Sequence, residues 1–177
     1  MAPPNNRFLG KFRGRVVDNN DPLHLGRLTV SVPDVLGDEA STWALPCLPF
    51  TGPQAGQFVV PPPGTGVWVE FEQGDPSFPV WTGCWYGAED ELPPDALAEL
   101  KASTATKPVV IQTPGKHKIL MSDVPGGEGI KLQAAGGAYV QIDEKGVTIG
   151  NDQGAVITLI GNEVNINEGR LIVPKKR

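Results

Sequence analysis

The second half of the chain is a series of short runs in which apolar and polar residues alternate. The first apolar residues of successive runs, from Ile130 to Leu171, follow one another at intervals of seven or ten residues, and every interval contains Gly, Asn or Asp. Such alternation is typical of half-buried β-strands, and the intervening residues favour turns. From Pro108 onward the sequence therefore predicts repeated units of strand and turn, as in a β-solenoid or β-helix.

These runs offer too little apolar mass to form a core within one chain. Each contributes two or three aliphatic side chains, and Tyr139 is the only aromatic residue after Pro108. Since ordering one residue costs roughly 1–2 kcal/mol, a lone run would hardly stay folded. Three copies around a common axis would bury each apolar stripe, so we predict a homotrimeric, intertwined β-helix or β-prism. Its predicted core residues are Ile130, Leu132, Val140, Ile142, Val147, Ile149, Ile157, Leu159, Val164, Ile166, Leu171 and Val173.

The first half has a different character. Residues 7–87 hold all four Trp, all six Phe and both Cys of the chain, with Gly- and Pro-rich turn segments between apolar runs. Five short strands in about 80 residues suit the five-stranded barrel called the OB-fold. The predicted strands are Lys11–Asp18, Gly26–Pro33, Thr42–Leu48, Gly66–Glu72 and Phe78–Gly87.

A short polar segment separates the two halves. Residues Ala96–Ala102 are rich in helix formers, and Asp95 is predicted to be their N-cap. The fold class is therefore all-β with a short helical linker. The predicted domains are an OB-fold over residues 1–88, a linker over 89–107 and a trimeric needle over 108–177.

Charge and hydropathy narrow the possible functions. The 177-residue chain carries a net charge of −5, which gives no electrostatic basis for binding nucleic acid or anionic membranes. No apolar run approaches the roughly 20 residues that span a bilayer. The N-terminus lacks the apolar core of a signal peptide, so we expect synthesis and use in a cytosol, or exit by a non-standard route. Cys47 and Cys84 are then expected to be buried free thiols rather than a disulfide.

Several residues could suggest chemistry, but a structural role explains them better. Glu70 and Glu72, with Asp75, could form the carboxylate pair of a cell-wall hydrolase, yet their alternation predicts a polar strand face. Asp143 and Asp152 lie in turn segments without the spacing of a calcium loop. We expect no catalytic residue, no cofactor and no bound metal.

The aromatic and basic residues of the first half raise one alternative. OB-folds often bind single-stranded nucleic acid through stacked aromatics and a basic groove. Here the tryptophans lie in apolar strands, which favours packing, although a nucleic-acid or glycan module oligomerised by a β-helical stalk remains the second hypothesis. Arg13, Arg15 and Arg27 are instead candidate contacts to a hub protein or a neighbouring barrel.

Two long stretches resemble a known family. The segments "GKFRGRVVDNNDPLHLGRLTVSVPDV" (Gly10–Val35) and "PPPGTGVWVEFEQGDPSFPVWTGCWYG" (Pro61–Gly87) resemble the OB-fold domain of contractile-phage baseplate spikes and of the valine-glycine-repeat spikes of type VI secretion. The repeats from Pro108 are similar to the trimeric β-helical needle of that family. The order of these motifs carries the resemblance.

The resemblance implies a mechanical part rather than an enzyme. A homotrimer would sit on the axis of a contractile tail or phage-tail-like particle, with its barrels on a separate hub protein and its needle capped by a separate PAAR-like tip protein. Assembly would occur in the cytoplasm, and the target membrane would be met only during puncture. Some relatives carry a lysozyme domain, for which residues 88–107 leave no room, and others carry a His-x-His iron site, whereas His117 is single.

Overall fold

The computed structural model describes residues 7–102, 106–125 and 127–174, with the side chains of 172–174 left aside. The chain is mostly β with few helices, and it divides into two compact units, Met1–Ala88 and Glu89–Arg177. Parts of the predicted linker (103–105) and of the predicted needle (126 and 175–177) lie outside the described residues. The predicted division into three domains stays a prediction.

The described residues of the first unit form a five-stranded sheet, a two-stranded hairpin and one short helix. The elements are β1 (Phe12–Asp18), β2 (Thr29–Ser31), α1 (Pro33–Leu36), β3 (Leu45–Pro46), β4 (Thr51–Gly52), β5 (Ala55–Gly56), β6 (Gly66–Phe71), a 3-10 turn (Glu72–Gly74) and β7 (Pro79–Trp85).

This sheet forms a half-barrel that fits the predicted OB-fold. The strand order is β2-β1-β6-β7-β3, antiparallel except for the β3–β7 pair. Its inner side holds a core of fully buried aliphatic residues, among them Leu28, Val30, Val67 and Val69, and Trp81 completes it. Alternate residues of β1 and β6 point into this core, which explains the alternating sequence pattern.

The sequence predicted the long strands of this unit better than its short ones. β1 and β6 agree closely with the predicted segments, but β2 and β3 are three and two residues long. Pro33 cannot donate to a ladder and instead begins α1, so the second strand ends before it. The hairpin β4–β5 and the helix α1 were not predicted, because their sequences lack an apolar period.

Two further expectations for the first unit need correction. Cys47 and Cys84 are free, as predicted, but both are exposed rather than buried. Glu72 lies in the 3-10 turn after β6, so it does not share a strand face with Glu70. The carboxylate of Glu70 accepts a hydrogen bond from Lys11 Nζ at 2.8 Å.

The described residues of the second unit form an eight-stranded sheet and one α-helix. Every strand pairs antiparallel with its neighbour in sequence, which makes an up-and-down meander. The elements are a 3-10 turn (Glu89–Glu91), α2 (Pro94–Lys101), β8 (Val109–Gln112), β9 (Lys118–Met121), β10 (Ile130–Gln133), β11 (Tyr139–Asp143), β12 (Gly146–Gly150), β13 (Val156–Ile160), β14 (Glu163–Ile166) and β15 (Leu171–Pro174).

Helix α2 begins two residues earlier than predicted. Pro94 occupies its first turn, where the missing N–H costs nothing, and the residue at the N-cap position is Pro93, whose side chain cannot cap. The prediction of Asp95 as N-cap is therefore wrong. Its carboxylate instead forms an ion pair with Lys118 of β9.

The turns of the sheet follow the predicted turn chemistry. Asp143 Oδ1 accepts hydrogen bonds from the backbone N–H groups of Lys145 and Gly146, at 2.8 and 3.2 Å. These bonds, led by that of Lys145, lower the pKa of the Asp143 carboxyl. Asn151 Oδ1 accepts two backbone bonds in the same way in the β12–β13 turn. These polar side chains therefore shape hairpins.

Candidate functional site

The principal candidate site is an apolar face on the eight-stranded sheet. Residues directly opposite each other on paired strands point to the same side of a sheet. By register, two aliphatic or Met positions on every strand fall on one side, and we call this set the apolar face. Its cross-strand pairs are Val109–Met121, Ile111–Ile119, Met121–Ile130, Ile119–Leu132, Ile130–Ile142, Leu132–Val140, Val140–Ile149, Ile142–Val147, Val147–Leu159, Ile149–Ile157, Ile157–Ile166, Leu159–Val164, Val164–Val173 and Ile166–Leu171.

The structure thus brings all the predicted core positions to one face. Val173 is placed by its backbone register alone. Sequence reasoning missed the contribution of β8 and β9, namely Val109, Ile111, Ile119 and Met121. Both strands contain a continuous run of three apolar residues, Val109–Ile111 and Ile119–Met121, rather than an alternation. A short apolar run bounded by turn residues is the signal that could have revealed them.

The described residues of one chain do not cover the apolar face. Ile142 and Leu132 are each 48% exposed, and Ile149 is 44% exposed. A contiguous apolar surface of this extent is unusual for a soluble monomer and marks an interaction site. One chain shows an open sheet, so the predicted β-helix stays a prediction that concerns three chains.

The opposite side of the sheet is polar from β10 to β14, and at the start of the sheet it is covered by the chain itself. Lys131, Gln141, Thr148, Thr158 and Asn165 follow one another there in register. At the start of the sheet α2 lies over this side, because Asp95 and Glu99 bind Lys118 and Ser122 of the β9 region. Leu120, between those two partners, is buried. Within the described residues, the chain therefore covers the start of this side of the sheet and leaves the apolar face free.

A second candidate site lies on the outer side of the half-barrel. The guanidinium carbon of Arg13 lies 5.8 Å from the centroid of the Trp68 ring and 5.4 Å from that of Trp85. The guanidinium carbon of Arg15 lies 5.2 Å from the Trp85 centroid. We call these four residues the Arg–Trp surface. The sequence did not predict this pairing, although Arg13 and Arg15 are two residues apart on one strand and must share a face.

The third predicted arginine has a different environment. Arg27 donates to the carboxylate of Asp21 from Nε at 2.9 Å and from Nη2 at 2.6 Å, and its guanidinium carbon lies 5.5 Å from the Trp43 ring centroid. Asp21 also accepts backbone bonds from Leu23, Leu25 and Arg27. The arginine side chain holds the pKa of the Asp21 carboxyl far below its usual range, and burial opposes this effect. Arg27 therefore organises its own loop, unlike Arg13 and Arg15.

Other chemistry finds little support in the described part of the chain. Among residues 7–102, 106–125 and 127–174, no three His, Cys, Asp or Glu side chains lie close enough to bind a metal ion together. None of the helices within these ranges is long and apolar enough to cross a membrane.

Two protein-family models match the chain, one for each unit. Residues 12–86 match the type VI secretion system/phage-baseplate injector OB domain. Residues 108–172 match the phage baseplate V C-terminal trimerisation domain, which contains most of the apolar face. The chain belongs to the phage-baseplate and type VI secretion spike family. The predicted resemblance is confirmed, and the trimerisation domain supports a homotrimer.

Individual spike proteins are similar to the chain over part of its length. The type VI secretion system spike protein VgrG3 of Vibrio cholerae serotype O1 is 30% identical over 115 residues, which are 63% of this chain and 11% of that protein. The actin cross-linking toxin VgrG1 of the same species is 34% identical over 97 residues, 55% of this chain and 9% of that protein. The chain thus matches about a tenth of the length of these relatives, within the baseplate part, which is structural rather than generally enzymatic.

Proposed function

We propose that this chain is the central spike of a contractile tail or injection-system baseplate, and that its trimeric needle punctures the target envelope when the sheath contracts. The observation that carries the proposal is the apolar face, which is continuous in register over eight strands and exposed in one chain. If three such faces turned toward a common axis, each face would be buried against the other two.

The strand pairing favours one form of the needle. Since each strand from β8 to β15 pairs with its neighbour in the same chain, each subunit supplies one complete wall of a three-walled β-prism. The walls meet through side chains, and strands need not be exchanged between chains within the described sheet. Burying the exposed half of one Ile or Leu contributes on the order of 1 kcal/mol, and this gain recurs along every strand.

A spike of this kind needs partners that the chain itself does not supply. The barrels would seat on a separate hub protein, the needle would carry a separate PAAR-like tip protein, and contact with the target membrane would be transient. The spike would assemble in the cytoplasm and then form part of a phage-tail-like particle. Its work is mechanical, so the proposal assigns it no catalytic residue and no cofactor.

Native mass spectrometry of the full chain tests this proposal. One chain has a mass of 18.8 kDa, so a stable particle of three times that mass is the expected result. We further expect the trimer to resist SDS at room temperature, because the apolar face would be inaccessible to detergent. A particle with the mass of one chain at micromolar concentration would overturn the proposal.

A second function is suggested by the residue composition of one surface. The Arg–Trp surface combines aromatic and basic side chains on an OB-like half-barrel, as nucleic-acid or glycan binding modules do. In this alternative the sheet of the second unit would only oligomerise the binding module. Tight binding of a single-stranded oligonucleotide or an oligosaccharide by the native chain would favour it over the spike.

A further inference from the structure

We propose that the Arg–Trp surface binds an acidic protein segment in extended conformation, through carboxylates spaced two residues apart. The proposal rests on the proposed function for its biological setting, since the segment would belong to a protein of the baseplate. The chemistry of recognition rests on the first unit alone.

The surface is held in place before any partner binds. Trp85 Nε1 donates a hydrogen bond to the carbonyl of Val67 at 3.1 Å, which fixes the indole against β6. A Cβ at Gly66 would lie 2.7 Å from the Trp85 ring, so the glycine is what lets the indole lie flat on the backbone. Trp68 lies beside it, with the ring centroids 6.4 Å apart. The two indoles form a rigid support for the arginines.

The two guanidinium groups lack an ionic partner in the described part of the chain. Lys11, two residues before Arg13 on the same side, is paired with Glu70 at 2.8 Å. No carboxylate of residues 7–102, 106–125 or 127–174 forms a salt bridge with Arg13 or Arg15. Arg15 does donate from Nη1 to the carbonyl of Gly64 at 2.9 Å, which orients the group without neutralising it. Across these ranges, two positive charges therefore lack a counterion in a chain whose net charge is −5.

The position of these arginines sets the spacing of the partner. Arg13 and Arg15 are two residues apart on β1, so their Cα atoms are separated by about 6.6 Å along the strand. An extended partner segment has the same period, so acidic residues at alternate positions would meet both guanidinium groups. Arginine favours carboxylates because its planar fork can bind both oxygens.

The same geometry disfavours nucleic acid. Base stacking requires an open aromatic face. Both arginines already lie over the Trp85 ring, and Arg13 also lies over Trp68. A protein carboxylate needs the guanidinium edges and leaves these stacks intact.

Fluorescence anisotropy with the full-length chain tests the proposal. The probe is a labelled 12-residue peptide in which Glu alternates with Thr, and the comparison probes are the same peptide with Gln for Glu and a 12-nucleotide oligo(dT). We expect the Glu–Thr peptide to bind with an affinity that falls as salt rises, and at least tenfold more tightly than the Gln–Thr peptide. We also expect the double variant R13Q/R15Q to bind it at least tenfold more weakly than the native chain.

A matched variant separates this site from general charge effects. K116Q/K145Q removes two positive charges from the second unit and should bind the Glu–Thr peptide within twofold of the native chain. The proposal is overturned if the two double variants lose affinity equally, if oligo(dT) binds more tightly than the peptide, or if the native chain binds no peptide at millimolar concentration. Native mass spectrometry of R13Q/R15Q distinguishes failure of this proposal from failure of the proposed function. Loss of the docking site alone would leave the trimer mass unchanged.

Discussion

Ile142 of β11 lies directly opposite Val147 of β12, across the turn that Asp143 closes by accepting two backbone hydrogen bonds. This pairing joins two short runs that look separate in the sequence into one apolar face. The length of this turn places the apolar residues of β12 opposite those of β11. The apolar residues of both strands therefore lie on the same side of the sheet. If the pairing of β11 with β12 shifted by one residue, the apolar side chains of β12 to β15 would point to the polar side of the sheet.

A charge on the apolar face should therefore disrupt assembly. We expect Ile149→Glu to abolish the trimer at micromolar concentration, since three carboxylates would be buried at one level of the axis. Size-exclusion chromatography with light scattering measures the particle mass. Thr148→Glu, on the polar side of the same strand, is the matched control and should remain a trimer. Equal behaviour of the two variants would contradict the proposed packing.

The close approach of β12 to β13 gives a second prediction. Gly146 has φ +147°, and a Cβ there would collide with the carbonyl oxygen of Leu159. We expect Gly146→Ala to lower the melting temperature of the trimer markedly, because the backbone of β12 or β13 would have to move to make room for the added methyl group. Gly154 also has positive φ, but a Cβ at that residue would meet nothing within 4 Å, so Gly154→Ala should cost only about 1 kcal/mol. Differential scanning calorimetry compares the two, and a larger loss for Gly154→Ala would refute the steric explanation.

The sequence predicted strands β10 to β15 of the second unit well because they share one simple period. Within β11 and β12, the position two residues after an aliphatic residue is either aliphatic or part of a turn. All four aliphatic residues lie on the predicted face, namely Val140, Ile142, Val147 and Ile149. Whether three chains form a β-helix or a β-prism was not predictable, because periodicity gives the face of a strand but not its partner. The structure gives the partner of each strand within one chain, and the arrangement of three chains stays a prediction.

The Arg–Trp surface could not be predicted from the sequence pattern. Trp68 and Trp85 lie in apolar segments, so packing was the natural interpretation, yet it is Trp81 that belongs to the buried core. A register irregularity between Trp68 and Val69 shifts the pairing of β6 with β7. Such a bulge re-aims the side chains that follow, and a composition pattern does not reveal it.

The loop held by Asp21 should make the first unit sensitive to acid. Because Arg27 and the backbone lower the folded-state pKa of Asp21, the carboxylate contributes stability above its unfolded pKa of about 3.9 and loses it as the pH falls further. We expect Asp21→Asn to destabilise the unit at pH 7, and the difference from the native chain to shrink below about pH 4. Thermal melts followed by tryptophan fluorescence report on this unit, since it holds all four Trp. The exposed Asp38 offers the control Asp38→Asn, and an equal loss there would contradict the role of Asp21.

Removal of the second sheet should separate folding from assembly. A chain ending at Lys107 keeps the buried core around Leu28, Val30 and Val69 but loses the apolar face. We expect it to be a folded monomer, because the first unit has its own core and the faces that would join three chains are gone. Sedimentation velocity gives the mass, and the native fluorescence spectrum of buried Trp81 reports on the fold. A truncated chain that remains a heat-stable trimer would show that the barrels, rather than the apolar faces, hold the subunits together.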